Sequence, residues 1–159
     1  MDEHDKIILL AHGLGGVPAI FGAQQAAKKN IKIDGIILVS TVKTLNFWPE
    51  KMISEWATAG VFYKKNNRTK QELPQGFEFL QEIMKADAQW NVEEAIKKRN
   101  CAVLIIQGEN DEAIPVEHGQ SLYRWAGENN QNTSLKIIPN DTHKFNKKHT
   151  CSGDAVEVE

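Results

Sequence analysis

Cysteine is nearly absent: the chain of 159 residues holds two, Cys101 and Cys151. One opens an apolar run and the other lies in a polar tail, so a disulfide framework is not expected and a reducing compartment is. Cys101 reads as a small core residue. Long hydrophobic runs are also missing. No stretch approaches the roughly 20 apolar residues of a membrane helix. The acidic opening, with Asp2, Glu3 and Asp5, does not suit a secretory leader. A cytoplasmic location is the expectation. Charge of one sign is lacking too. The 19 basic and 21 acidic residues leave a net charge of −2. The lysines form no basic stripe, and Lys147-Lys148 is too short a run to matter, so neither nucleic acid nor a membrane is an expected partner. His4, His118 and His149 have no carboxylate or cysteine at ligand spacing, which gives no metal site.

What is present is an alternation of apolar runs and helical stretches. Strands are expected at Lys6–Leu10, Ile31–Ser40, Val103–Gln107 and Leu135–Ile138. A helix follows the first strand to about Lys29, with Pro18 in its first turn, and another spans Val116–Ala126. This order predicts an α/β fold, a short parallel sheet of about four strands with flanking helices. The first strand is uniformly apolar, as in a parallel strand covered on both faces. Residues 1–150 form one domain in this reading, and residues 151–159 a disordered tail.

The connection from about residue 43 to residue 100 is too long for a plain loop. It reads as a helical insertion. Pro49 opens a helix to about Ala59, Pro74 another to about Ala86, and Asn91 caps a third to about Lys98, with Glu94 placed as in a capping box. Lys64–Lys70 joins the first two and is expected to be exposed.

The most informative residue is Gly13. It lies in Ala11-His12-Gly13-Leu14-Gly15, where an apolar strand runs through a small-residue turn into a helix. A generic glycine turn explains this stretch, and so does a nucleophile elbow, G-x-S-x-G, with glycine in the serine position and Ala11 in place of the first glycine. A dinucleotide fingerprint fits poorly. Pro18 replaces its third glycine, and Asp34 precedes the second strand instead of ending it. No Gly-Lys-Ser/Thr follows, which excludes a P-loop. No cofactor is expected. Further on, Gly108-Glu-Asn-Asp111 ends the third strand, and Pro139-Asn-Asp-Thr-His143 follows the fourth. Taken alone, Asp111 is an ordinary turn former and His143 an ordinary loop histidine.

The order elbow, acid, histidine is the chain order of the α/β-hydrolase triad. On these motifs residues 6–146 resemble the C-terminal half of an α/β-hydrolase of the esterase, dienelactone-hydrolase and prolyl-oligopeptidase-like kind. The resemblance implies that Gly13 stands where the nucleophile would be, that Asp111 is the triad acid and that His143 is the general base. It implies that the amide of Leu14 serves an oxyanion hole, whose second donor comes from a loop in the N-terminal half of the fold. The inserted segment takes the place of a cap. His12 is expected to pack behind the elbow. Ser40 and Thr41 end the second strand at the same sheet edge, and Ser40 is a candidate to line a substrate site. Trp48 and Trp56 belong to a cluster with Phe62, Tyr63, Phe77, Phe79 and Trp90. That cluster reads either as a substrate-binding pocket or, preferably, as the insertion's own small core.

Three functions follow as expectations. The first is a hydrolase-type domain for a small acyl or aryl ester, inactive or weak because glycine supplies no nucleophile. The second is a non-catalytic module that binds a ligand at the remnant site or a partner at the first strand. That strand would be a sheet edge open to a homodimer or another chain. The third is an enzyme using water activated by His143, for which nothing in the sequence argues specifically.

Overall fold

A computed structural model describes residues 6–66, 69–127 and 130–145. Cys151, His4, His149, Lys147-Lys148 and the expected tail at 151–159 lie outside the described residues. Four strands, β1 (Ile8–His12), β2 (Gly35–Val39), β5 (Ala102–Gly108) and β6 (Thr133–Ile138), form one sheet. Their order is β1-β2-β5-β6 and every pairing is parallel. The register sets Leu10 against Ile37, Ile37 against Leu104 and Leu104 against Ser134.

Each new strand is added on the same side of the last. Right-handed crossovers that always advance in one direction leave their helices on one face of the sheet. Accordingly α1 (Gly16–Lys28) packs on β1 and β2, α5 (Val116–Trp125) packs on β5 and β6, and α4 (Val92–Lys97) sits between α1 and α5. The core forms in this layer. Ile36, Leu38, Val103 and Ile105 from the strands cluster with Val17, Ile20, Ile96 and Leu122 from the helices, all buried. Burying each such side chain contributes about 1.5–3 kcal/mol.

β1 departs from the expectation that both its faces are covered. Its exposure alternates with period two, and Ile8 and Leu10 keep 56% and 69% of their surface in solvent. The cause is topological. β1 is the edge strand, and the one-way crossovers place the helices against only one of its faces.

Residues 43–100 also differ from an all-helical insertion. α2 (Glu50–Ala59) and α3 (Phe77–Gln89) flank an antiparallel hairpin, β3 (Val61–Lys65) with β4 (Glu72–Gly76). Gly60, at φ 71°, stops α2 in a left-handed cap. Val61-Phe62-Tyr63 then favours a strand. Pro74 does not open a helix. It lies in β4 opposite Tyr63, where a two-stranded ribbon tolerates a residue without an N–H. The exposed lysines of Lys64–Lys70 fall at the hairpin tip. Asn91 does cap α4, its side chain accepting from the Glu94 amide at 2.9 Å, but α4 belongs to the main helical layer.

The insertion has its own aromatic core. Trp56 is buried, with ring contacts to Trp48, Phe62 and Phe79. Its indole donates to the Gln75 carbonyl at 3.0 Å, which ties α2 to the hairpin. Asp87 on α3 anchors the insertion to the segment after β2, accepting from Thr44 Oγ1 and the Leu45 amide, both at 2.7 Å.

Candidate active site

Three carboxyl-terminal strand ends meet at one place. β1 runs into a 3-10 turn at Gly13–Gly15 and then into α1. Gly13 is buried and has φ +60°, a left-handed conformation that costs a residue with a Cβ about 1–2 kcal/mol. Close packing fixes the turn: a Cβ on Gly16 would overlap the side chain of Thr41, just beyond β2.

Asp111 follows β5 and divides its two oxygens between two tasks. Oδ1 accepts the amides of Ala113 at 2.9 Å and Ile114 at 2.8 Å. This is the turn-forming role open to any aspartate here. Oδ2 accepts from Gln107 Nε2 at 3.1 Å and meets His143 Nδ1 at 2.9 Å. One carboxylate therefore makes both the local turn contacts and the contact to His143. Burial raises the carboxyl's pKa. The Ile114 amide, His143, the nearby Ser40 hydroxyl and the Ala113 amide outweigh that effect and hold it below the ordinary carboxylate value.

His143 is placed by the loop after β6. The loop is laced to the β5 turn by Glu109 N–H to Ile138 O at 3.0 Å and Asn110 N–H to Asp141 O at 2.8 Å. With Nδ1 on Asp111, the other ring nitrogen faces the elbow. A Cβ built on Gly13 would lie 3.9 Å from both His143 Nε2 and Cε1, and 4.0 Å from Ile114 Cδ1. The side-chain direction at residue 13 thus points at the free nitrogen of an Asp–His dyad. That is where a triad nucleophile stands relative to its base.

The other sequence candidates fall in different places. Leu14 follows Gly13 within the turn and is exposed. Ser40 is fully buried beside Asp111, at φ 42°. Trp56 is turned into the insertion's core, and Trp48, half-buried, stacks on Phe47. His12 is not packed behind the elbow. It is exposed, its ring lies 4.5 Å from that of His143, and its Nε2 is 3.1 Å from the His143 carbonyl. The register explains this: His12 ends the edge strand, on the side toward the histidine loop. Among the described residues no group of histidines, cysteines and carboxylates is arranged to hold a metal, and no helix is long and apolar enough to cross a membrane.

Sequence reasoning missed Gln107 and Gly108. Gln107 is fully buried and bridges Asp111 Oδ2 and the Ile114 carbonyl. Its signal was a lone amide at the end of an otherwise apolar strand.

His118, on α5, accepts the Lys43 amide through Nδ1 at 3.0 Å. That bond requires an unprotonated Nδ1. Burial, then the nearby Lys43 charge, lowers its pKa, with Glu117 and Asp111 opposing. The unfolded chain therefore takes up this proton first, and stability falls as pH drops below the ordinary histidine value of about 6.5. Melting temperatures at about pH 7.5 and about pH 5.5, either side of that value, test this. The chain should lose more than His118→Gln on acidification, and equal losses would contradict it.

No family model matches the sequence, and no curated protein does. Solved structures do match by fold. The esterase domain of a Rhodothermus marinus protein aligns with TM-score 0.58 at 11% identity, over 87% of this chain and 53% of that one. Monoacylglycerol lipase from Paleococcus ferrophilus aligns with TM-score 0.59 at 15% identity, over 87% and 60%. Est1E from Butyrivibrio proteoclasticus aligns with TM-score 0.57 at 22% identity, over 92% and 57%. The chain spans about half the length of the structures it matches. The β1-β2-β5-β6 sheet with its helices is about half of an α/β-hydrolase fold, and that is the fold of this protein.

Proposed function

We propose that this chain is a domain of the serine ester and peptide hydrolase type in which glycine has replaced the nucleophile. The observation that carries this is the position of residue 13: φ +60° on a strand-to-helix turn, with its Cβ direction 3.9 Å from His143 Nε2. The Asp111–His143 bond at 2.9 Å supports the base assignment. Serine-type acyl transfer needs an oxygen at that position, so the chain forms no acyl-enzyme and is inactive or weak toward esters. Small acyl or aryl esters are the substrate class. Structures of like fold include a monoacylglycerol lipase and an Est1E bound to ferulic acid. The amide of Leu14 is the oxyanion donor in this reading.

Covalent labelling tests the assignment without requiring turnover. A fluorophosphonate loses fluoride as phosphorus bonds to an activated serine oxygen. Gly13→Ser should be labelled at residue 13, the unaltered chain should not, and Gly13→Ser combined with His143→Ala should be labelled far more slowly. Failure of a folded Gly13→Ser to react would contradict the reading.

A second reading, partner binding at β1, is favoured by the exposure of Ile8 and Leu10 on an edge strand whose outer side carries no strand among the described residues. An apolar edge of that kind pairs with other strands. Light scattering should show concentration-dependent association, reduced in Leu10→Lys. A monomer at all concentrations would contradict self-pairing.

A further inference from the structure

Serine exceeds glycine by one CH2O unit, so glycine at residue 13 leaves a space of about one carbon and one oxygen. Chain neighbours aside, the surroundings leave room for a Cβ there. The nearest atoms to a Cβ there would be His143 Cε1 and Nε2 at 3.9 Å and Ile114 Cδ1 at 4.0 Å, ordinary contact distances. The base is kept in place without the nucleophile. Asp111 holds Nδ1, Gln107 and two amides hold Asp111, and His12 contacts the His143 carbonyl. Nε2 thus faces the space from a fixed position.

We infer that this space admits a small hydroxylic molecule, water or a one-carbon alcohol, which His143 deprotonates for direct attack on an ester carbonyl. This rests on the assignment of residues 13, 111 and 143 given above. The O–H proton passes to Nε2 as the oxygen bonds to the acyl carbon. The carbonyl electrons move onto its oxygen and return as the bond to the leaving alkoxide breaks. That alkoxide takes the proton from Nε2. Nothing is bonded to the protein at any stage. Water gives acid and alcohol; methanol gives a methyl ester and alcohol. The reaction is a single displacement, whereas a serine at residue 13 would make it a double one.

The test incubates the chain with phenyl acetate in dilute methanol and measures methyl acetate. Methyl acetate should form roughly 10²-fold faster than with His143→Ala, the low end of a general-base contribution. Tert-butanol, too large for the space, should give no corresponding ester. Gly13→Ala, checked for folding by circular dichroism, should lose the methanol reaction because its Cβ occupies the space. An exposed histidine acting alone would lose nothing. Equal rates in the chain and His143→Ala, or equal use of methanol and tert-butanol, would overturn the inference, and the alcohol comparison decides even if Gly13→Ala does not fold. If Gly13→Ser takes the fluorophosphonate label while the chain uses no methanol, only this inference fails. If neither occurs, the triad assignment fails with it.

Discussion

Gly13→Ser should raise hydrolysis of a short p-nitrophenyl ester by about 10³-fold. In a complete triad enzyme, loss of the nucleophile costs roughly 10⁶ in kcat. A full recovery is not expected, because the proposed assignment names one oxyanion amide, at Leu14, and loss of one such donor costs about 10²–10³. On the proposed assignment the base needs no rebuilding, since Asp111 Oδ2 already meets His143 Nδ1 at 2.9 Å. The gain should disappear when His143→Ala is added. It should also carry a stability cost. Residue 13 sits at φ +60°, and a side chain in the left-handed region costs about 1–2 kcal/mol. A melting curve beside the rate measurement reads both effects. A folded Gly13→Ser with unchanged turnover would contradict the expectation.

Gly108→Ala should be the most damaging single-methyl change near the site. A Cβ there would meet Asp141 O at 2.7 Å and Thr142 O at 2.8 Å. Both are backbone atoms of the loop that carries His143, so no side-chain rotation relieves the contact. Overpacking of this kind costs about 1–3 kcal/mol. The displacement also strains the Asn110 N–H to Asp141 O bond of 2.8 Å. Denaturant unfolding should therefore show a loss of about that size. Placed in Gly13→Ser, the change should lower turnover under conditions where both proteins are fully folded, because it moves His143, the base of the proposed assignment. Retained turnover with reduced stability would mean that the loop tolerates the shift without moving His143.

The sequence made the sheet legible because parallel strands buried among helices read as short apolar runs. Val103–Gln107 and Leu135–Ile138 fall inside the observed β5 and β6. The turn at Gly13 and the meeting of Asp111 with His143 were indicated by motif order, since Asp111 and His143 each have an ordinary local explanation. Three features were hidden. The open face of β1 depends on which direction the crossovers take, and an apolar run carries no information about that. The β3–β4 hairpin was masked by Pro74, which signals a helix start and an edge strand equally well. The role of Gly108 depends on a backbone that passes 33 residues later in the chain, at Asp141, and no local pattern records that approach.

The most direct test of the account is the tautomer of His143 in the unaltered chain, read by long-range proton–nitrogen correlation on a 15N-labelled sample at neutral pH. An Asp111 carboxylate at Nδ1 should hold the proton there and leave Nε2 bare toward residue 13. A single such tautomer, lost in Asp111→Ala, is the expected result. A histidine that exchanges freely between tautomers in the unaltered chain would contradict it, because no poised base would then face Gly13.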